Sequence, residues 1–535
     1  MNARYDHIVI GAGHNGLVCA FHLARRGRTV LVVEAGGEPG GAAVTREFAP
    51  GFKVSAAAHL LDALPDELLR DMQLERHGLS FAGRRLATCA LSPDRAPLRF
   101  ASAGLAGASS SDTAAFESFR QQMDRHAKVL DRLLDMVPFR LDLATWRERL
   151  DAVRLAWDIR RLGRRDMREL LRIAGMNAHD LLTEHFESDL LKGALAWDAT
   201  LGAEHGPRAP GTVLTLLHRW ALRARSRSNG IAQPAGGMGA VTGAMARAAG
   251  AAGAQIRTGA RVERILVDAD RACGVRLRSG ETIHGGSVVS NVDPKTTLLK
   301  LLGPEHLETD VVRRTAHFRS KGLVARLHLA LDAAPVFRGL DAADLGGRLL
   351  VSPSLQYLEL AFNPSKYREV PAEPAMEITV PTVNDPGLAP AGRHVMSINL
   401  MFVPYDLGFD PQGAHNALMR DSMAVLERHA PGLGQKVVAS ELLTPADLER
   451  EFGMTGGHWH HGALSYDQFF FTRPLPGAAQ YAMPVTGLYL CGAGCHPGGG
   501  VSGLAGRLAA LTILKETGRA DVREGGAGRQ GDARA

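Results

Sequence analysis

One stretch near the start of the chain, residues 5–41, restricts the possible folds more than any other. His7–Ile10 is a short, β-branched run typical of a buried parallel strand, and it leads directly into the sequence GAGHNG at residues 11–16. Apolar residues then recur at helical spacing over residues 17–26, and a second strand is predicted at residues 29–33. The order of these elements predicts one complete βαβ unit built around a glycine turn.

Each glycine of this turn, and the acid that ends the second strand, has a mechanical reason to be there. Gly11 allows the tight turn, Gly13 allows backbone amides to approach a pyrophosphate, and Gly16 allows the helix to pack on the strand. Glu34 lies where a carboxylate accepts hydrogen bonds from the ribose hydroxyls of an adenosine, which argues against a ribose 2′-phosphate. The unit therefore predicts a site for NAD or for the ADP half of FAD.

The residues after Glu34 favour FAD. The sequence EPGG at residues 38–41 adds a second glycine pair, and GGAAVTREFAPGF follows from Gly40. This order resembles the glutathione-reductase-type FAD fold, and within it the phytoene desaturase-like superfamily and the branch of pyridine nucleotide-disulfide oxidoreductase domain-containing proteins. Many carotenoid desaturases and amine oxidases have arginine after the glycine pair, where this chain has Ala42.

A second glycine-rich motif lies near the end of the chain. LYLCGAGCHPGGGVSGLAGR, residues 488–507, reads as a strand, a glycine loop and a helix, and it resembles the C-terminal FAD motif of the same superfamily, as does HGALSYDQFFFTRPLPG at residues 461–477. The resemblance covers residues 5–515 in motif order. The predicted FAD-binding residues are Gly11, Gly13, Asn15, Gly16, Glu34, Gly40, Gly41, Val262, Gly492, Ala493, Gly494, Gly500, Val501 and Ser502.

The resemblance implies an α/β fold: a Rossmann-like FAD domain with an inserted substrate domain of mixed sheet and a helical cap. We expect a discontinuous FAD-binding domain (1–90, 228–298 and 455–518), a helical cap (91–227), a substrate-binding domain (299–454) and a disordered tail (519–535). Residues 53–81 read mostly as helix. In the substrate-binding domain, strands are predicted at 323–331, 355–362 and 394–403, and a helix at 414–429.

Composition limits the class and setting of the protein. The chain has 535 residues with 62 Lys and Arg against 56 Asp and Glu, a small basic excess that does not indicate nucleic acid as a partner. Five cysteines, an odd number, favour a reduced setting. The first strand begins too early to leave room for a leader peptide, and the sequence shows no apolar run of about 18 residues. A cytoplasmic location is predicted, with peripheral contact to a membrane still open.

Residues 147–172 carry a local basic excess, with nine arginines against five acids. Apolar residues lie between these charges, among them Trp146 and Trp157. The segment therefore predicts either a membrane-facing cap that admits a lipophilic substrate or a solvated helix face with many charge pairs. A second cluster, Arg219 to Arg227, has the same two interpretations.

Three histidines are candidates for catalysis. His461 and His496 lie within the two C-terminal motifs and are predicted to be cavity or cofactor-loop residues, either of them a candidate to move a proton. His59 follows the glycine pair and is interpreted either as a residue of the cofactor cavity or as a packed or surface histidine. The segment from His458 to His461 has no carboxylate or cysteine at ligand spacing, and no metal is predicted. Cys491 and Cys495 read either as a redox pair or as small buried apolar residues.

The resemblance implies an FAD-dependent oxidoreductase that takes a hydride from a small, lipophilic, polyene or isoprenoid-like substrate and passes electrons to oxygen, a quinone or another acceptor. The glycines at 233–239 follow Gln-Pro rather than a strand, so no second nucleotide site is predicted. Two alternatives stay open. One is a flavin amine oxidase; the other is a flavoprotein regulator or binding protein, since Rab GDP-dissociation inhibitors resemble this fold. The oligomeric state is open as well.

Overall fold

The computed structural model describes residues 5–101, 104–226 and 230–528. Within these ranges the strands are β1 (Tyr5–Ile10), β2 (Val30–Val33), β3 (Thr45–Ala49), β4 (Phe52–Ser55), β5 (Phe81–Gly83), β6 (Thr88–Leu91), β7 (Leu98–Ala101), β8 (Gly104–Ala106), β9 (Gln233–Pro234), β10 (Gln255–Arg257), β11 (Val262–Asp268), β12 (Arg271–Leu277), β13 (Thr282–Ser290), β14 (Val324–Leu331), β15 (Arg348–Val351), β16 (Met376–Thr379), β17 (His394–Met401), β18 (Val437–Leu443) and β19 (Leu488–Leu490).

The α-helices of the same ranges are α1 (His14–Ala24), α2 (Asp66–Asp71), α3 (Ser110–Leu134), α4 (Trp146–Arg161), α5 (Gly163–Ile173), α6 (Ala178–His185), α7 (Asp189–Thr200), α8 (Thr212–Arg225), α9 (Met238–Ala251), α10 (Thr309–His317), α11 (Leu355–Phe362), α12 (Pro411–His429), α13 (Leu433–Lys436), α14 (Pro445–Phe452) and α15 (Leu504–Gly528). Within the described ranges, no helix combines the length and the apolar composition needed to cross a bilayer.

The first sheet carries the nucleotide-binding unit. Its parallel part runs β10-β2-β1-β13, with β19 pairing β13, and the β11-β12 hairpin continues from the first half of β13. Ile10 is in register with Val33 on one side and with Ser290 on the other, and Ser290 is in register with Leu490. The carboxyl ends of β1, β2, β13 and β19 therefore lie at one edge, which is where open α/β sheets bind ligands.

Helices from the start, the middle and the end of the chain pack together beside this sheet, with α1 as the shared neighbour. Helix α1 contacts α9 and α15. A Cβ atom on Gly506 of α15 would lie only 2.0 Å from the backbone oxygen of Asn15 in α1. The last helix can approach the first this closely because it has glycine there, and the contact joins the two glycine-rich motifs in one domain.

The second sheet has the order β18-β14-β17-β16-β15-β6-β7-β8. Its neighbours are antiparallel except β15 and β6, and α12 packs against its apolar core. The sequence placed residues up to 90 in the FAD domain and residues 91–227 in the cap. In the structure β6, β7 and β8 instead extend the substrate sheet, because β6 pairs with β15 from far along the chain. The fold class, α/β with a Rossmann-like FAD domain, agrees with the prediction.

The cap consists of α3 to α8, which share one apolar core. Helices α3 to α8 all fall within residues 91–227, the range predicted as the helical cap. Helix α7 contacts both β6 and α11, so the cap rests on the second sheet. The cap and the second sheet together cover the edge of the first sheet at which the two glycine-rich motifs meet.

Three local predictions differ from the structure. Residues 355–362 form helix α11 rather than a strand, because the Ser354 side chain caps the N-terminus and Leu355, Leu358 and Ala361 are buried at helical spacing. Residues 53–81, predicted mostly as helix, contain β4 and only the short α2 as regular α-helix. Helix α15 continues through residues 519–528 of the predicted tail, and residues 529–535 lie outside the described residues.

Candidate functional site

A cavity of about 620 Å³ lies along the edge where β1, β2 and β13 end. Residues that follow these strands line it, including Gly11, Glu34 and Asn291. The cap contributes Arg219 to its wall and the second sheet contributes Glu377. All three parts of the fold thus meet around one cavity, of a size typical of cofactor and ligand sites.

The glycine turn after β1 brings the backbone close to this cavity. Gly11 has a φ of +92°, a conformation that side chains rarely adopt. A Cβ on Gly16 would lie 2.2 Å from the Gly11 oxygen, so glycine is needed there for α1 to pack on the turn, as the sequence predicts. A Cβ on Gly13 would lie 2.7 Å from the side-chain nitrogen of Asn291. Asn291 thus completes the turn from the neighbouring strand.

Glu34 holds the turn from the end of β2. Its carboxylate accepts hydrogen bonds from the Ala12 amide at 2.7 Å and from the Gly36 amide at 2.7 Å. The side chain is half-buried and lines the cavity. A carboxylate oxygen has more than one lone pair, so the same group retains the capacity to accept from a ribose hydroxyl. The role predicted for Glu34 is therefore compatible with its contacts.

The N-terminus of α1 opens on the same cavity. No side chain caps this helix at Gly13, which leaves its first-turn amides free to bind an anion. His14 and Asn15 line the cavity beside it, and each has a buried polar side-chain atom without a hydrogen-bond partner, His14 Nε2 and Asn15 Oδ1. Buried polar atoms are normally satisfied, so their state points to a polar ligand at this position.

The predicted cofactor residues fall into two groups. Those that line the cavity are Gly11, Gly13, Asn15, Glu34, Gly40, Gly41, Val262, Ala493, Gly500 and Val501. Gly16, Gly492, Gly494 and Ser502 are not among the lining residues. Gly492 and Gly494 instead let the C-terminal loop approach β13, because a Cβ there would lie 2.5 Å from the Asn291 oxygen or 2.6 Å from Pro294.

Arg473 holds the C-terminal loop in place, a role that sequence reasoning missed. It is fully buried, and its guanidinium donates to the carbonyl oxygens of His460, Gly462, Ala463, Gln468 and Ala493. Burial lowers the pKa of Arg473 to about 10. The residue lies in the motif HGALSYDQFFFTRPLPG, which was informative only as a resemblance. Its contacts join that segment to the cofactor loop at Ala493.

Comparison with known proteins agrees with this geometry. The family model described as flavin-containing amine oxidoreductase matches residues 16–514. The chain belongs to this family. It is an FAD-dependent oxidoreductase, and its glycine turns, its acid at the end of β2 and the unpartnered polar atoms at α1 fit FAD.

Individual relatives of the FAD-dependent oxidoreductase span nearly the whole chain. Pyridine nucleotide-disulfide oxidoreductase domain-containing protein 2 of Rattus norvegicus is 35% identical over 96% of this chain and 94% of its own. A lycopene-forming phytoene desaturase of Pseudescherichia vulneris is 27% identical over 95% and 98%. The solved structure of cyclohexylamine oxidase from Brevibacterium oxydans, 18% identical, covers 96% of this chain and 100% of its own with a TM-score of 0.58, which shows the shared fold.

The predicted catalytic histidines of the oxidoreductase have different surroundings. His461 lines the cavity, and its Nδ1 atom is buried without a hydrogen-bond partner. His496 does not line the cavity: its Nε2 lies 2.6 Å from the Leu133 oxygen, so the prediction of a catalytic role for it is not supported. Burial lowers the pKa of His496 to about 4, which keeps it a neutral, structural side chain.

His59 lines the cavity, but both of its ring nitrogens are engaged. Arg326 Nη1 lies 2.8 Å from His59 Nδ1, so that nitrogen is the acceptor, and His59 Nε2 then donates to Glu377 at 2.7 Å. Burial and the nearby Arg326 lower the pKa of His59 to about 4. The neutral His59 ring has a single N–H group, and this group is hydrogen-bonded to Glu377. His59 is therefore placed to orient this carboxylate rather than to transfer a proton.

A set of ionised side chains, called here the charged wall, closes one side of the cavity. Its members are Asp62, Asp198, Arg219, Arg223, Arg348 and Glu377. Arg348 donates to Asp198 at 2.8 Å and to Glu377, while Arg223 reaches Asp62 at 3.0 Å. Burial alone would raise the pKa of Asp198, but Arg223, Arg348 and Arg219 hold it well below its usual value.

The positive and negative charges of the charged wall are equal in number, but not every polar atom in it makes a hydrogen bond. It contains three arginines and three carboxylates, and it joins α7 and α8 of the cap to β15 and β16 of the second sheet. Arg219 lines the cavity, and its buried Nε lies 3.5 Å from Asp198 Oδ1 as an ion pair but makes no hydrogen bond. Arg219 and Arg223 belong to the predicted basic cluster, but their partners Asp62 and Asp198 come from other segments of the chain.

A second cavity of about 440 Å³ shares Arg223, Ile231 and Arg348 with the first. Its other walls are mainly apolar, with Phe100, Phe116, Trp220, Leu195 and Leu350 among them. The charged wall therefore separates a compartment beside the cofactor residues from a more apolar one.

The cysteines of the C-terminal motif are buried thiols. Cys491 and Cys495 are both free and almost completely inaccessible. Burial raises the pKa of Cys495 to about 12 and that of Cys491 well above its usual value. Thiols that are buried and protonated are poor nucleophiles, so the structure favours the interpretation of small buried apolar residues over a redox pair.

Proposed function

We propose that this FAD-dependent oxidoreductase removes a hydride from carbon in a largely apolar substrate of the polyene or isoprenoid type. One observation carries the proposal: the cavity that contains the nucleotide-binding residues is also lined by Ala57, Ala58, Leu60, Leu201 and Ile231. FAD supplies the hydride acceptor. Oxygen, a quinone or another oxidant then accepts the electrons, and a relative named as a phytoene desaturase supports this class of reaction.

Two of the predicted histidines have distinct roles in this proposal. His461, with its unpartnered Nδ1 in the cavity wall, is placed to touch the substrate and to accept or hold a proton. Burial lowers the pKa of His461, which keeps the ring neutral and able to accept. His59 acts instead by holding Glu377 and, through it, Arg348 in the charged wall.

The charged wall sets a condition on the substrate. A fully apolar chain pressed against Asp62 and Arg219 would desolvate these groups without replacing their hydrogen bonds, at a cost of a few kcal/mol. The substrate is therefore expected to carry at least one polar group that reaches Arg219, with its apolar part against Leu60, Leu201 and Ile231.

The two alternatives have less support. An amine oxidase is expected to hold the amine in an aromatic cage beside the flavin. Among the described residues that line the cavity, Phe452 is the only phenylalanine and Trp459 the only tryptophan, and there is no tyrosine. A regulator or binding protein without turnover would have little need for a cavity histidine, His461, whose Nδ1 atom makes no hydrogen bond within the protein.

The proposal is tested by mixing the purified holoprotein with candidate substrates in the absence of oxygen. Loss of flavin absorbance is expected with a polyene or isoprenoid that bears a polar group, and not with simple amines. His461→Gln is expected to bind FAD normally but to reduce it at least about tenfold more slowly. His496→Gln serves as the matched control, because His496 lies outside the cavity, and its rate should equal that of the wild type.

Two results would contradict the proposal. Bleaching by amines but not by any apolar substrate would favour the amine oxidase. A protein that binds apolar ligands tightly, seen as a perturbed flavin spectrum, but bleaches with none of them would favour the binding protein.

A further inference from the structure

Helix α4 is unusual in this fold because none of its residues is buried. Its inner side packs on the cap through Leu155 and Ile159, which are only partly buried. Its outer side exposes Trp146, Leu150, Val153 and Trp157. The helix therefore has two apolar stripes on opposite sides, whereas a surface helix of a globular protein normally has one.

The outer stripe is continuous and strongly exposed. Its four residues are spaced by four, three and four positions, so they lie on one helix face. Trp146 is 68% exposed and Trp157 is 62% exposed. Leu141 before the helix and Leu171 in α5 are exposed as well. A contiguous patch of large apolar side chains on a protein surface commonly marks an interaction site.

Basic residues border this stripe on both sides. The exposed arginines of α4 are Arg147, Arg149, Arg154, Arg160 and Arg161, and α5 adds Arg164, Arg165 and Arg168. The acids of α4, Glu148, Asp151 and Asp158, are less exposed and lie toward the inner side. Asp158 pairs with Arg132 of α3, which holds α4 on the cap, and Glu148 caps its own helix.

The chemistry of this face identifies its partner. Tryptophan prefers the boundary between lipid head groups and acyl chains, and arginine can place its alkyl part over apolar atoms while its guanidinium binds phosphate. A second copy of the chain fits poorly, because a symmetric contact through this face would bring two sets of exposed arginines together. The solvated helix with many charge pairs, the other interpretation of this segment, does not explain the exposed tryptophans.

We propose that the outer face of α4, together with the start of α5, docks on the surface of an anionic phospholipid bilayer. The helix lies flat in the head-group region with Trp146, Val153 and Trp157 inserted and the arginines on lipid phosphates. This contact is independent of the reaction that the cavity performs, so it can fail without affecting the proposed chemistry. It would bring the cap close to a source of lipophilic substrate.

The test is co-sedimentation of the full-length holoprotein with vesicles. Binding is expected with vesicles of phosphatidylcholine and phosphatidylglycerol in equal amounts, weaker binding with phosphatidylcholine alone, and a decrease as salt rises. The double variant Trp146→Gln with Trp157→Gln should bind at least about tenfold less. The matched control, Tyr367→Gln with Phe409→Gln, removes two even more exposed aromatic residues elsewhere and should bind as the wild type does.

A second measurement uses the wild-type protein alone, so it does not depend on the stability of a variant. Of the five tryptophans, Trp197 is fully buried and Trp220 and Trp459 are partly buried. Brominated lipids should therefore quench the emission of Trp146 and Trp157 in particular. The proposal is overturned if anionic vesicles neither bind nor quench, or if the α4 variant and the control lose binding equally. It is also overturned if the α4 variant abolishes self-association while vesicle binding is absent.

Discussion

Arg473 shows how one residue connects the substrate side to the cofactor side of the cavity. Its buried guanidinium donates hydrogen bonds to backbone oxygens within residues 460–468 and to that of Ala493. The same short segment contains His461, one of the histidines that line the cavity. The position of His461 therefore depends on a cation whose hydrogen bonds go to backbone carbonyls.

Replacing Arg473 by methionine should strongly destabilise the protein. The change leaves several buried carbonyl oxygens without donors, and each such group costs about 1–3 kcal/mol. We expect the free energy of unfolding to fall by about 3 kcal/mol or more, measured by denaturant unfolding. Arg473→Lys, which retains the charge with fewer donors, should be intermediate. A methionine variant as stable as the wild type would show that water satisfies these carbonyls.

The sequence predicts the role of a residue well where a local order of strand, turn and helix fixes its position. Gly11, Gly13 and Glu34 were found because strand, turn and helix follow one another in a single βαβ unit. The charged wall and Arg473 have no such pattern, since Arg348 joins Glu377, 29 residues later, to Asp198, 150 residues earlier. His496 was misplaced for the same reason: its neighbour Leu133 is on α3, and no spacing in the sequence indicates that contact.

Among elements, the close packing of α1 and α15 determines whether the two cofactor motifs meet. Gly506 is the residue that allows it, because a Cβ atom there would overlap the Asn15 backbone in α1. The first turn of α1 carries the amides that face the cavity. A change in this helix contact should therefore affect the cofactor site as well as the stability of the fold.

We expect Gly506→Ala to lower both the melting temperature and the flavin content of the purified protein. Overpacking of this kind typically costs about 1–3 kcal/mol. Gly250→Ala is the matched control: Gly250 lies in α9, and a Cβ there meets no atom within 4 Å. Because alanine favours helix more than glycine does, this control should be as stable as the wild type or slightly more stable. Equal flavin content in both variants would argue against the contact.

At this scale the sequence predicts strand and helix from periodicity but not which sheet a strand joins. The strands at 324–331 and 394–401 and the helix at 411–429 agree with their predictions. Helix α11 was predicted as a strand because Leu355–Phe362 is short and apolar, a pattern that fits both structures. Strands β6 to β8 were assigned to the wrong part of the fold because β6 joins the second sheet through β15, from Thr88 to Arg348, 260 residues later.

The whole molecule contains many buried neutral histidines, and these make its stability depend on pH. Burial lowers the pKa of His7, His14, His22, His59, His429 and His496 from 6.5 to about 4. Between these two values the unfolded chain binds protons that the native state does not. Stability is therefore constant for these groups above their usual pKa and is lost as the pH falls from 6.5 toward 4.

We expect the free energy of unfolding to decrease steeply below about pH 6.5, by up to about 1.4 kcal/mol per pH unit for each such histidine. The measurement is denaturant unfolding at neutral pH and at several more acidic values. His429→Gln, which removes one buried histidine outside the cavity, should reduce the slope. A free energy that stays constant down to about pH 5 would show that these histidines are solvated in the native protein.

Residues from two distant ends of the chain line one cavity, which we propose to be the FAD site. The most direct test is the flavin content of the purified protein, measured by absorbance for the wild type, Glu34→Ala and Gly13→Val. We predict about one FAD per chain in the wild type and little or none in either variant, because Glu34 holds the turn and Gly13 leaves no room for a side chain beside Asn291. A wild-type protein without flavin, or variants that retain it fully, would contradict the account.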